Sequence, residues 1–288
     1  MDSTCKKIPF IDHHFQTSSI DTCTRILAPA LFPDWAPTNS NLEITKLTEG
    51  TTNSASHVSD PYSSHRSRDV DASVLIKVYG SGTDITIDRE KELSFHCVLA
   101  EHKLAPAPLV RFSNGHAYPF VDGRICSLEE LPQKEIGYCV AQEIANWHGY
   151  LPKLDPRSPK IQFESVLPSD LLIQPNVWIT AQKWLNSIPE ASEAEKVTKE
   201  NLTEEFTYLL QRLHGGGGQE MVFTHGDLLH ANIVITDSSK SNGLSVSFID
   251  YEHSTFAPPA FELANHFSEW AGFACNYESL PSRDPRMS

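Results

Sequence analysis

Short strand-like segments and one long helix-like segment fill the first 125 residues. Apolar and polar residues alternate, or form apolar runs of strand length, in residues 42–47, 74–79 and 117–121. A helix is predicted from Asp88 to Lys103, where apolar residues recur among charged ones, and a short one around Asp21 to Phe32. The Ser- and His-rich stretch from Ser54 to Asp71 carries almost no apolar side chain, so we expect a mobile surface loop there.

After residue 125 the pattern becomes mainly helical. Apolar stripes at helical spacing predict helices at residues 136–150, 177–188 and 202–213. The run Gly215–Gly218 predicts a helix stop and flexible connector, because it lacks the preceding strand and the following GK[ST] of a phosphate loop. Strand-like segments follow at residues 221–224, 231–235 and 244–249. We therefore predict a β-rich domain at residues 1–125 and a mainly helical domain at residues 126–288.

Composition narrows the class of protein. The 288 residues carry a formal net charge of −14, which argues against a general nucleic-acid binder and against a polybasic membrane contact. The 6 cysteines form no CxxC pair, and we expect them to be reduced and mostly buried. No apolar run reaches the ~18 residues of a membrane span, and the first residues lack the apolar core of a signal peptide. These features predict a cytoplasmic protein without a membrane span.

One short segment of the second half carries the strongest chemical signal. Residues 225–232 read HGDLLHAN, which matches the spacing H-x-D-L-x-x-x-N of a kinase catalytic loop. In such a loop, Asp227 accepts or orients the proton of an attacking hydroxyl, and Asn232 supplies a neutral oxygen ligand for Mg²⁺. His225 is predicted to brace the loop.

Three further residues complete the order that a kinase requires. Asp250 follows a predicted strand, where its carboxylate is suited to hold Mg²⁺ between phosphates. Lys77 lies inside a predicted strand and can contact nucleotide phosphates, and Glu92 on the next helix can pair with that lysine. Each residue alone also has a structural explanation, such as a solvated strand lysine or a turn aspartate. Their common order favours phosphoryl transfer.

Several segments resemble the choline/ethanolamine kinase family over residues 40–280. The most specific are FTHGDLLHANI at 223–233, FIDYE at 248–252 and ANHFSEWAG at 264–272. The amino-terminal half follows the family order with EGTTN at 49–53, VYG at 78–80, DREKE at 88–92, LAP at 104–106 and FSNG at 112–115. Taken as a whole, the sequence is most similar to those of fungal-type ethanolamine kinases.

The resemblance implies an α+β, protein-kinase-like bilobal fold and an enzyme that phosphorylates an amino alcohol. The β-rich residues 1–125 are then the N-lobe and residues 126–288 the C-lobe. The implied reaction is ATP-dependent phosphorylation of ethanolamine, or of choline, the first step of the phosphatidylethanolamine branch of the Kennedy pathway. ATP and Mg²⁺ are the implied cofactors, and a homodimer is compatible with the sequence.

The resemblance also assigns roles to individual residues. Asp227 is the catalytic base, and Asn232 and Asp250 hold Mg²⁺. Lys77 and Glu92 form the pair that positions the phosphates. The residues that cover the nucleotide are Gly50, Thr51, Thr52 and Asn53. Those that face the cationic head group of the substrate are Glu269, with Glu252 and Trp270 beside it. Core packing for Trp270 and a structural hydrogen bond for Glu252 remain equal alternatives.

The match departs from the family at two places. His253 stands where the family usually has a tyrosine next to the substrate, which leaves the head-group selectivity open. The chain also ends before several further helices of family members, so we expect a truncated C-lobe with an exposed apolar face. Two alternative functions follow: a non-catalytic or regulatory form that binds nucleotide without turnover, and a kinase for another small substrate such as an aminoglycoside. The segment NHFSEW at 265–270 argues against the hypothesis of an aminoglycoside substrate.

Overall fold

The computed structural model describes residues 8–16, 27, 42–47, 53–59, 73–151, 176–214, 221–238 and 243–281. The chain divides into two compact units. Of the described residues, the first unit holds those up to Asp84 together with residues 93–122. The second unit holds residues 85–92 and those from Gly123 onward.

A six-stranded mixed sheet forms the centre of the first unit. In chain order its strands are β1 (Phe10–Ile11), β2 (Glu43–Leu47), β3 (Asn53–Ser59), β4 (Ser73–Tyr79), β5 (Val110–Phe112) and β6 (Gly115–Pro119). Their order in the sheet is β1-β5-β6-β4-β3-β2, with β1 parallel to β5 and all other neighbours antiparallel. The helix α1 (Arg89–Glu101) begins in the second unit and continues in the first.

Strand β3 contradicts the predicted surface loop over residues 54–59. The segment pairs with β2 on one side and with β4 on the other, from Asn53↔Tyr79 to Ser59↔Ser73. Ser56 and Val58 are buried in alternation, as a strand requires. The prediction failed because it relied on polar composition, whereas a small serine fits a half-buried sheet once both neighbouring strands satisfy its backbone. Residues 60–72 lie outside the described residues.

The predicted helix and strands of this unit are otherwise confirmed within a few residues at their ends. The helix expected around Asp21 to Phe32 lies outside the described residues, apart from Leu27. The short strands β1 and β5 were not predicted, because two or three residues are too few to show a period. The core on one side of the sheet contains Phe15, Leu27, Val58, Val74, Ile76, Val78, Val110, Phe112 and Ala117.

Helices and two small sheets make up the second unit. The helices are α2 (Lys134–Tyr150), α3 (Val177–Ser187), α4 (Glu193–His214) and α5 (Pro259–Glu269). The strands are β7 (Arg124–Ile125), β8 (Val222–Thr224), β9 (Ile233–Ser238), β10 (Gly243–Phe248) and β11 (Thr255–Ala257). They pair in the orders β10-β9-β7 and β11-β8. Among the described residues, no helix combines the length and the apolar content that crossing a bilayer requires.

Trp147 lies at the centre of an aromatic cluster in the core of the second unit. Trp147 of α2 is almost fully buried, and its ring lies 5.8 Å from Phe223 and 5.4 Å from Phe248, between their ring centroids. Phe223 is in β8 and Phe248 ends β10, so the aromatic cluster packs both strands against α2. The predicted helices 136–150, 177–188 and 202–213 are confirmed. Helix α5 was not predicted, and residues 215–218 lie outside the described residues.

Candidate active site

The segment HGDLLHAN leaves β8 through a tight turn that only glycine fits well. Gly226 has a φ of 75°, and a Cβ at this position would lie 2.6 Å from the carbonyl oxygen of His253. Both facts disfavour any other residue there. The turn directs Asp227 away from the strand, and a short 3₁₀ turn at His230–Asn232 brings the chain back into β9.

His225 is buried beside the Trp147 cluster and braces this loop. Its Nε2 lies 2.9 Å from the carbonyl oxygen of Ile249, which can only accept, so this nitrogen carries the proton and donates. Its ring centroid is 5.7 Å from that of Trp147 and 6.1 Å from that of Tyr251. The histidine therefore joins the start of the catalytic loop to the segment that carries Asp250.

Asp227 and Asn232 meet across the loop. The Asn232 amide donates to the Asp227 carbonyl at 2.8 Å and to its Oδ2 at 3.2 Å. Burial raises the pKa of Asp227 to about 7, and nearby carboxylates add to this rise. They belong to Asp250, Glu269 and Glu252. A carboxylate whose pKa lies near neutrality is suited to take up a proton in catalysis.

Asp250 lies in the left-handed region of the backbone, at φ 66° and ψ 75°. The preceding Ile249 donates its N–H to the Asn232 carbonyl at 3.0 Å, so the two predicted metal ligands follow adjacent backbone segments. Carboxylate oxygens of Asp250, Glu92 and Glu252 lie within 4.8 Å of one another. Such an oxygen donor set fits a divalent cation such as Mg²⁺, which prefers carboxylate ligands.

Arg89 holds two of these carboxylates in place. Its Nη1 lies 2.9 Å from Glu92 Oε2 and 2.9 Å from Glu252 Oε2, and both glutamates are buried. One cation thus joins the start of α1 to the turn after Asp250. Arg89 stands in the DREKE segment, but no sequence pattern assigns it a role. Its local spacing to Glu92 suits a helical ion pair, but nothing local points to Glu252.

Helix α5 binds the predicted catalytic loop through three side chains that no sequence pattern identified. The Glu262 carboxylate accepts from the backbone N–H groups of His225 and Gly226, the latter at 3.2 Å. Asn265 Oδ1 accepts from the Leu228 N–H at 3.0 Å, and His266 Nδ1 lies 2.9 Å from the Leu228 carbonyl. Positions 262, 265 and 266 share one helical face, which is the signal that could have identified them.

The predicted head-group residues occupy the end of the same helix. Glu269 is half-buried, and burial raises the pKa of its carboxyl. Trp270 donates its indole N–H to His266 Nε2 at 3.3 Å, and its ring packs at 5.3 Å from Phe267. The indole is therefore fixed to its own helix. Its predicted role at the substrate, like that of Glu252, stays a prediction.

The predicted nucleotide residues belong to the first unit. Gly50, Thr51 and Thr52 lie outside the described residues, whereas Asn53 begins β3. Lys77 lies in β4 and is only 4% exposed. Since Lys77 belongs to the first unit and Glu92 to the second, the predicted Lys77–Glu92 pair stays a prediction.

Known proteins resemble this chain over most of its length. The profile of the family "Choline/ethanolamine kinase" matches residues 44–288. A probable ethanolamine kinase A of Dictyostelium discoideum is 29% identical over 86% of this chain and 66% of its own length. A probable choline kinase 1 of Arabidopsis thaliana is 31% identical over 83% of this chain and 62% of its own length. The chain thus spans just under two thirds of these relatives.

A solved structure gives the same fold. The Plasmodium vivax ethanolamine kinase matches 93% of this chain and 71% of its own, with a TM-score of 0.73 and 25% sequence identity. The predicted protein-kinase-like fold, with an N-terminal mixed sheet followed by a helical part, is confirmed.

Proposed function

The chain belongs to the choline/ethanolamine kinase family, and on this premise we propose that it phosphorylates ethanolamine with ATP as the donor. Choline is the competing acceptor, since relatives of both names match at similar identity. The observation that carries the proposal is the environment of Asp227. A half-buried aspartate with a pKa of about 7, bonded to Asn232 and close to other carboxylates, is what a hydroxyl-activating base requires.

The proposed reaction is a direct transfer of one phosphoryl group. The hydroxyl oxygen of the amino alcohol bonds to the γ-phosphorus, and the bond from that phosphorus to the β–γ bridging oxygen breaks. The hydroxyl proton passes to the Asp227 carboxylate, and ADP leaves with the electron pair of the broken bond. His225 holds the loop that carries Asp227 in position through its hydrogen bond to the Ile249 carbonyl.

Asn232 and Asp250 are proposed to hold Mg²⁺, with Glu252 close to the same position. When bound, the cation neutralises charge on the phosphates in the transition state. Asp250 follows β10 in the left-handed region of the backbone, and such strain is typical of residues that must face a ligand.

The remaining residues are proposed to bind the two substrates. Lys77, with Glu92 as its predicted partner, is proposed to neutralise phosphate charge, and the segment Gly50–Asn53 is proposed to cover the nucleotide. Glu269 pairs with the ammonium group of the acceptor, and the face of Trp270 adds cation–π attraction. Arg89 already compensates the charge of Glu252, which leaves Glu269 as the principal partner of the ammonium.

Product release with matched acceptors tests the proposal. The purified chain is incubated with Mg²⁺ and ATP, and ADP is measured with ethanolamine, with choline and with neither. We expect release that needs an amino alcohol, favours ethanolamine and disappears in Asp227→Asn. Release that favours choline would correct the acceptor. A folded chain that binds ATP but releases no ADP with either acceptor would support the non-catalytic alternative instead.

A further inference from the structure

A buried group of polar rings lies beside β4, the strand that carries Lys77, in the first unit. His116 in β6 and His96 in α1 are each 1% exposed, and Tyr118 is also buried. The ring centroids of His96 and His116 lie 5.6 Å apart, and that of Tyr118 lies 5.4 Å from His116. Two almost fully buried histidines in contact are unusual, since apolar side chains would fill the same space at a lower desolvation cost.

The strand register places His116 directly opposite Lys77. Strands β4 and β6 are antiparallel, with the partners Lys77↔His116 and Leu75↔Tyr118. Partners in register project from the same face of a sheet, with Cβ atoms ~4.5–5.5 Å apart. Tyr79, two residues after Lys77, lies on that face as well. The lysine stem is therefore flanked by Tyr79 along its own strand and by His116 across the ladder.

Hydrogen bonds fix the orientation of both imidazole rings. The Tyr79 hydroxyl lies 2.9 Å from His116 Nδ1, and a hydroxyl can act as donor or acceptor in either tautomer. His96 Nε2 donates to the Pro106 carbonyl at 2.8 Å, so the ring edge that packs on His116 is fixed too. His116 is held by a hydrogen bond on one side and by a fixed ring on the other.

We propose that His116, oriented by Tyr79, is a positioning residue that sets the direction of the Lys77 ammonium for nucleotide binding. The inference rests on the proposed function, in which Lys77 contacts the phosphates. A lysine has a long flexible stem, and ordering it costs rotamer entropy each time that a phosphate binds. A fixed ring opposite the stem removes unproductive rotamers before the nucleotide arrives, and this preorganisation strengthens binding.

The test measures the Kd for Mg²⁺-ATP, which does not require turnover, in His116→Leu, His116→Asn and Tyr79→Phe. His116→Leu keeps a buried apolar volume but loses the bond to Tyr79, so we expect Kd to rise about tenfold. The amide of His116→Asn can bond the hydroxyl near the place of Nδ1, so most of the affinity should return. Tyr79→Phe removes one oxygen only, and Kd should rise in the same direction. An unchanged Kd in Tyr79→Phe would overturn the proposal.

The same variants in a Lys77→Met background separate this inference from the proposed function. If His116 acts through Lys77, His116→Leu should cause no further rise of Kd once the ammonium is gone. An equal rise of Kd in the wild-type and Lys77→Met backgrounds would show that His116 acts only through packing and would overturn the proposal. If Lys77→Met alone leaves Kd unchanged, the assignment of Lys77 itself fails. Urea unfolding of each variant identifies any loss of affinity that comes from loss of the fold.

Discussion

Replacing Glu262 with glutamine should loosen the catalytic loop without changing the size of the side chain. Glu262 is 2% exposed, and its two carboxylate oxygens accept from the backbone N–H groups of His225 and Gly226. A glutamine offers one oxygen and one NH₂ group, so one of the two backbone donors must face another donor. The His225 donor cannot turn to water, because that residue is fully buried.

The magnitude follows from one unsatisfied buried donor. Leaving such a group without a partner costs about 1–3 kcal/mol of the free energy of unfolding. Burial raises the pKa of Glu262 to about 7 from its ordinary value of 4.5. The folded state therefore holds a proton that the unfolded state has released, and its contribution to stability decreases as pH rises through 7. Between pH 6 and 8.5 the wild type should lose on the order of 1 kcal/mol relative to the variant.

Urea unfolding, followed by tryptophan fluorescence at each pH, measures both the lost hydrogen bond and the pH dependence. A change in the urea midpoint at constant m-value reports a change in the free energy of unfolding. We expect Glu262→Gln to be less stable at pH 6, with a gap that narrows towards pH 8.5. The matched control is Glu205→Gln on the exposed surface of α4, which should unfold like the wild type at each pH. Equal stability of wild type and Glu262→Gln at pH 6, or a gap that widens with pH, would refute the reasoning.

Three further changes test the remaining assignments. Asp227→Asn should abolish phosphoryl transfer but leave the Kd for ATP nearly unchanged; transfer at the wild-type rate would remove Asp227 as the base. Glu269→Gln should raise the KM for the amino alcohol more than the KM for ATP, and equal effects would exclude Glu269 from the head-group site. Arg89→Met leaves two buried glutamates uncompensated and should cost about 3–5 kcal/mol in urea unfolding, whereas Arg124→Met, in an exposed ion pair, should cost far less.

The order of the chemical residues could be predicted because it is a local property of the chain. The spacing from His225 to Asn232 is set by one loop, and that loop does bring Asp227 and Asn232 into hydrogen-bond contact. The long helices could be predicted as well, because an apolar stripe repeats over several turns. Asp250 was recognised from its place at the end of a strand, and it does lie in a special backbone conformation next to that end.

The sequence could not predict which distant side chains support those residues. Glu262 and Arg89 have ordinary local surroundings. Only the packing of α5 on the loop gives Glu262 its backbone partners, and only the approach of Glu252 gives Arg89 its second carboxylate. Strand β3 was missed for a related reason, since its serines are paired by neighbouring strands rather than by their own hydrophobicity. Local patterns thus predicted which groups are candidates for the chemistry. Tertiary structure decided how they are held, because burial and long-range hydrogen bonds leave no period in the sequence.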